Sequence, residues 1–285
     1  MAEHKHGKGE WMAAYRLMTM EMDTLQTNGL STSGYSMLPK EMSMDMHMFG
    51  AMYAQGENWT WMLMANYLDK EMDMESTGAM AMRSTMRTKG WGDTSLSGLF
   101  EINAWDEEVL LGSIGVGLPT GSIDEVSTGA THQSYGMQLG SGTWDFRPGI
   151  TYLGQAESYS WGAQLNAILR SGSNDNGYSF GDRWSVTAWI ARKISENLSA
   201  SARITGERAS AINGTDPDMG MAMMSPSNKA AFSGGDLVTG SIGVNYLFSN
   251  GHRIAAEYAV PFEQDLNGIQ MEQDHALTLG WQYAW

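Results

Sequence analysis

The sequence predicts an all-β fold, a transmembrane antiparallel up-and-down β-barrel of twelve strands. Three observations lead there. Apolar residues alternate with polar or small ones through almost the whole chain, with little sustained 3.6-residue patterning. The alternating segments are each about ten residues long, and the spacers between them are short and long in turn, as in barrels that cross a membrane. Nowhere do about 18 apolar residues run together, so any membrane crossing falls to strands.

Taken in order, the segments are 11–24, 42–54, 58–70, 93–103, 107–118, 143–154, 158–169, 182–193, 197–207, 236–248, 252–262 and 273–285. Tight polar turns, Gln55-Gly56-Glu57, Ala104-Trp105-Asp106, Gln155-Ala156-Glu157, Ile194-Ser195-Glu196 and Ser249-Asn250-Gly251, close alternate hairpins. Looser stretches rich in Gly, Ser, Asp and Thr fall around 25–41, 71–92, 119–142, 170–181, 208–235 and 263–272. Both termini then lie on the short-turn side, the layout of bacterial outer-membrane barrels, with outer-membrane lipid as the first partner. Fourteen strands result instead if 78–88 forms part of an extra hairpin. Residues 1–10 read as a polar leader and 11–285 as a single barrel domain. The leader carries His4, Lys5, His6 and Lys8 and no visible secretory signal, so the chain is expected to be the mature form of an exported protein or a recombinant version of it.

The faces sort by polarity. From Trp144, the residues Phe146, Ile150 and Tyr152 share one face, while Thr143, Asp145, Arg147 and Thr151 share the other. From Tyr159, Trp161, Ala163, Leu165 and Leu169 oppose Ser160, Gln164, Asn166 and Arg170; Val238, Ile242, Val244, Tyr246 and Phe248 repeat the apolar face. One face suits lipid and the other water. Tyr53, Trp59, Trp61, Tyr159 and Trp161 lie beside short turns, where an interfacial aromatic girdle is expected.

Composition narrows the function. The chain has no Cys, which excludes disulfides and thiolate metal sites. Its 17 Lys and Arg against 32 Asp and Glu give a net charge of −15, which disfavours nucleic acid as a partner. The 11 Trp and 11 Tyr are too many for a disordered acidic chain.

Particular strings carry a resemblance. Leu277, Leu279, Trp281, Tyr283 and Trp285 occupy every second position to the end, similar to the C-terminal signature of outer-membrane β-barrels. That resemblance implies recognition of the last strand by the barrel-assembly machinery; the competing reading is an inner strand of a soluble sandwich, which also alternates. Gly117-Leu118-Pro119-Thr120-Gly121-Ser122, Met137-Gln138-Leu139-Gly140-Ser141-Gly142-Thr143-Trp144-Asp145 and Gly181-Asp182-Arg183 resemble the outer-membrane transporter family named for the meta-pathway of phenol degradation. The resemblance implies an envelope barrel that passes aromatic or otherwise hydrophobic compounds, without catalytic or ligand residues to carry over.

The 24 methionines are clustered and alternating. Met18, Met20 and Met22 follow Arg16 on the first strand, Met42, Met44, Met46 and Met48 share a face of the second, and Met62, Met64, Met72 and Met74 a face of the third. If the aromatic face meets lipid, these line the lumen, most of them near the long-loop, extracellular mouth. More follow in the outer loops: Met80, Met82, Met86, Met137, Met219, Met221, Met223, Met224 and Met271. Three readings stay open: a soft-metal ladder for Cu(I) or Ag(I), an adaptable apolar wall for hydrophobic solutes, and plain packing. The acids Glu21, Asp23, Glu41, Asp45, Glu71 and Asp73 either attract cations or sit on outward rims above the lipid. If Met1 is removed, Ala2-Glu3-His4 offers a square-planar nitrogen set for Cu(II), with His6 assisting.

No enzyme is expected. Gly177-Tyr178-Ser179-Phe180-Gly181 matches the nucleophile-elbow string but falls in a loop between barrel strands, and His132, His252 and His275 are too dispersed to choose a base. Asn174-Asp175-Asn176-Gly177 and Asp216-Pro217-Asp218-Met219-Gly220 lack the full calcium-loop spacing. Charged residues on the faces opposite lipid are Arg16, Asp93, Glu101, Asp145, Arg147, Arg170, Arg183, Arg203, Glu207, Arg253, Glu257 and Asp274. They form either ion pairs that seal the interior or the wall of a polar pore. The expected function is passive permeation or binding of small solutes through a methionine-lined mouth, with no cofactor required. The alternatives are copper or silver handling and a closed structural barrel.

Overall fold

The structure, a computed structural model, describes residues 8–79, 82–127 and 130–285. Twelve strands follow one another: β1 (Trp11–Met22), β2 (Met37–Ala54), β3 (Trp59–Ser76), β4 in two segments (Arg83–Trp91 and Thr94–Ala104), β5 (Glu108–Leu118) and β6, also in two (Trp144–Phe146 and Gly149–Gln155). The rest are β7 (Tyr159–Ser171), β8 (Arg183–Lys193), β9 (Leu198–Ala209), β10 (Gly235–Leu247), β11 (His252–Leu266) and β12 (His275–Ala284). Each pairs antiparallel with its neighbours in the chain, and β12 pairs with β1 from Ala284 opposite Met12 to His275 opposite Glu21. The sheet is therefore a closed barrel, which leaves no edge unpaired in the bilayer. Trp11 and Trp285 fasten the seam, each main-chain N–H donating to the other's carbonyl at 2.9 Å.

Segment 83–91 is part of the fourth strand, so the count stays at twelve. It pairs with the outer half of β3, Trp91 opposite Tyr67, and Thr94–Ala104 pairs with the inner half, Ser95 opposite Met64. Between them the Gly92 N–H reaches the Asn66 carbonyl at 2.8 Å. Strands β2 and β3 run further out than polarity alone predicts, starting at Met37 and ending at Ser76. Above Tyr67 the outward face of β3 and of the first segment of β4 turns from apolar to charged: Lys89 pairs with Asp69 at 2.6 Å, Arg87 with Glu71 at 2.7 Å and Arg83 with Glu75 at 3.2 Å. Such side chains belong in water, so this part of the sheet stands above the lipid. From Trp59 to Tyr67 the strand covers roughly 26 Å at about 3.3 Å per residue, enough for a tilted crossing.

The alternation holds around the barrel. Phe146, Ile150, Leu165, Ile190, Ile242 and Leu279 face out and are exposed to the barrel exterior. Aromatic rings gather beside the short turns, with Trp59 stacked on Phe100 (5.8 Å between centroids) and His252 on Tyr283 (4.3 Å). Inside, Met12, Ala14, Met52, Leu99 and Leu111 form a dry cluster against β1–β5. The long loops are tied together at the other end, by pairing of Tyr178–Ser179 with Asn213–Gly214 and of Gln270–Glu272 with Thr24–Gln26.

Candidate functional site

Hydrogen-bond register sets the methionines in rows on the inward face. Met22 lies opposite Met42, Met42 opposite Met72, and Met72 opposite Met86, so four adjacent strands present one thioether each. Directly opposed side chains stand about 4.5–5.5 Å apart at Cβ, within reach of a flexible thioether. Met74 and Met37 add to this row, and Met137 enters it from the β5–β6 loop; Met72, Met74 and Met137 are 3%, 3% and 0% exposed. The next row down reads Met20, Met44, Lys70, Thr88, and the one below it Met18, Met46, Leu68, Gly90. Met48 lies between Arg16 and Asn66, Met64 opposite Gly50, and Met62 opposite Met52, packed against the dry cluster.

The β5–β6 loop folds inward over this wall. Lys70 Nζ donates to the carbonyls of Gly136 (2.9 Å) and Gln138 (2.7 Å), and Thr88 Oγ1 donates to the Met137 carbonyl at 2.7 Å. Asp93, at the break in β4, accepts from the Gly121 N–H (2.9 Å) and from both the N–H and the hydroxyl of Ser141 (2.8 and 2.7 Å). Gly121 and Gly140 pass backbone to backbone; a Cβ on Gly140 would lie 2.2 Å from the Gly121 oxygen, so only glycine permits the crossing. The loop thereby covers the outer edge of Arg83–Trp91, where the Gln133 side-chain amide donates to the Arg87 carbonyl at 3.1 Å. Further out, His132 Nδ1 lies 2.8 Å from Asp216 Oδ2, and Asp216 N–H donates to the Tyr135 hydroxyl at 3.2 Å. Burial pushes the phenols of Tyr135 and Tyr178 above their ordinary range.

Below this packed outer half lies a chamber of about 550 Å³ against β7–β12 and β1, reaching the short turn at Gln155–Ser158. Arg16, Met18, Met48, Arg203, Arg253 and Glu257, all singled out by sequence, are on its wall. Arg203 Nε is 3.3 Å from Glu257 Oε2, and the Arg203 guanidinium also lies 5.2 Å over the Trp189 ring. Trp189 lies flat across Gly162, where a Cβ would sit 2.3 Å from the indole.

Other candidates stand apart from the chamber. Asp145 is buried and paired with Arg170, and Thr143 Oγ1 donates to it at 3.0 Å, a structural ion pair at the start of β6. Arg147 follows it at the break in β6, its N–H bonded to the Gly115 carbonyl at 2.8 Å, and Glu101 lies at the inner end of β4 beside Trp59 and Thr60. The four methionines grouped as metal ligands are divided: Met42 joins the sulfur row, Met44 faces Lys70, Met46 faces Leu68, and Met48 borders the chamber. His4 and His6 lie outside the described residues. Among the described residues no group of three or more His, Asp or Glu is arranged to hold a metal ion. Ser179 of the elbow-like string sits in a two-residue β-pairing, not at a strand-to-helix turn.

Sequence reasoning missed Lys70, Trp189 and the inward loop. Lys70 and Trp189 were legible as inward positions by alternation; their partners, a loop carbonyl and an arginine some way along the chain, were not.

No protein-family model and no curated protein matches the chain. Among solved structures, the chain is similar to an outer membrane channel from Pseudomonas putida F1, with a TM-score of 0.67 and 12% identity over 98% of this chain and 97% of that one. A Pseudomonas aeruginosa FadL homologue also aligns, with a TM-score of 0.47 and 9% identity over 96% of this chain and 90% of that one. So does the translocator domain of the autotransporter NalP from Neisseria meningitidis, with a TM-score of 0.48 and 14% identity over 98% and 89%. The first likeness identifies the fold as that of a bacterial outer-membrane β-barrel.

Proposed function

We propose that the chain is an outer-membrane channel for small solutes, with an inner chamber and an outer gate. The chamber of about 550 Å³ inside a closed barrel carries this reading, since that volume lies in the range of small-molecule sites. Met18 and Met48 border the chamber and continue upward into the methionine rows, a flexible apolar wall suited to aromatic or otherwise hydrophobic solutes. The β5–β6 loop, held by Lys70, Thr88 and Asp93, is the element that must move for a solute to pass from outside. The test is conductance of the folded chain in planar bilayers together with solute uptake into proteoliposomes. Discrete channel openings are expected. A barrel that passes neither current nor solute defeats the reading in favour of a closed structural one.

A second reading rests on one observation, the row Met22–Met42–Met72–Met86 with Met137 packed against it. Thioethers are soft donors that stay unprotonated in acid and prefer Cu(I) or Ag(I), and several sulfurs on one wall can satisfy such an ion. The row beside Lys70 is less suited, because an ammonium opposes a cation. Silver titration of the detergent-folded protein by calorimetry tests it. Binding that weakens at least about tenfold (roughly 1.4 kcal/mol) when Met72, Met74 and Met137 are all changed to Leu supports the metal reading. Unchanged affinity leaves these sulfurs as packing.

A further inference from the structure

The chamber has the opposite charge sign to the chain. The protein carries a net charge of −15, yet Arg16, Lys193, Arg203 and Arg253 line the chamber against Glu157 and Glu257. Of these, Arg203 is engaged with Glu257 and Trp189. Among the described residues Arg16 and Arg253 form no ion pair, and both are half-buried on the wall. A guanidinium held against a low-dielectric wall attracts an anion more strongly than one in open water, and it matches a carboxylate two bonds at a time.

Register shows how the two cooperate. Arg16 of β1 lies opposite Gly280 of β12, and Arg253 of β11 lies opposite Gln282, so the pair flanks β12 from either side, one inward-facing step apart. The two strands are separated by about 9–10 Å, twice the interstrand spacing. Gly280 puts no side chain between them: even a Cβ there would only touch Arg16 and Ala255, each at 3.7 Å. The inward residue of β12 beside Arg253 is Gln282, which shares the chamber wall with both arginines.

We propose that the chamber selects small organic anions, whose carboxylate is held between Arg16 and Arg253. This rests on the channel reading above for its route but not for its binding site. The experiment measures reversal potentials of the full chain in planar bilayers under a salt gradient, and binding of potassium benzoate to the detergent-folded protein by calorimetry. Anion-selective current is expected. Changing Arg16→Gln and Arg253→Gln together should lower the anion-to-cation permeability ratio by about tenfold, the low end of what focused charge supplies. The pair Arg16→Lys and Arg253→Lys should keep the sign of selectivity and weaken benzoate binding. Non-selective or cation-selective current through the unaltered protein overturns the proposal and leaves the channel reading standing. If no current passes, the channel reading fails and calorimetry decides: benzoate heat lost in the double Gln variant upholds the anion site, and no heat in the unaltered protein overturns it.

Discussion

Lys70 Nζ donates a 2.7 Å hydrogen bond to the main-chain oxygen of Gln138, so an inward-facing barrel residue holds the loop that closes the barrel's outer half. Lys70 is itself buried beside Met44, Thr88, Met72 and Leu68, and the oxygens its ammonium reaches are main-chain carbonyls of the loop. Without those carbonyls the buried ammonium would be left unpaired, at considerable cost.

Replacing Lys70 with Met removes both loop hydrogen bonds without changing the shape of the wall greatly. The expected outcome is a more open channel: single-channel conductance rises, and residues 119–143 become more susceptible to protease on intact cells. Conductance identical to that of the unaltered protein would place the gate elsewhere.

Gly140→Val tests the same loop from the other side. Its side chain would meet the Gly121 backbone, which has no room to yield between Asp93 and Ser141. A loss of about 1–3 kcal/mol is expected, read as a lower unfolding midpoint in detergent. Gly136→Ala serves as the control, because nothing lies within 4 Å of a Cβ there.

Asp145→Asn leaves the Arg170 guanidinium short of its counter-charge. Breaking a buried pair by removing one partner costs about 3–5 kcal/mol. Adding Arg170→Met should restore most of the loss, measured by urea unfolding in detergent micelles. A single variant as stable as the parent would mean that water already serves Arg170.

Met137→Ala removes a fully buried side chain from the sulfur row. A cost of about 2–5 kcal/mol is expected from the cavity, while Met221→Ala, on an exposed loop position, should change the unfolding midpoint little. Equal effects would contradict the packing described for the loop.

Alternation and spacer length pointed to a barrel of twelve strands, with fourteen left open, and to apolar residues facing lipid; that 83–91 belongs to the fourth strand was settled by its pairing. Alternation and spacer length are local information: each residue's face follows from its parity within a strand, and each hairpin from a few turn residues. Strand ends at the long-loop side were less legible, because β2 and β3 continue past the lipid where polarity no longer marks a boundary. Only the tertiary structure decided which inward residues meet. Arg203 with Glu257, Asp145 with Arg170, and Lys70 with Gln138 are joined across strands or between wall and loop, at separations the sequence does not encode pairwise. The same holds for the division of the lumen into a packed methionine half and an open cationic chamber. Barrel closure brings β1 beside β12, and the loop's path depends on a backbone crossing at Gly121 and Gly140, so both are properties of the assembled sheet.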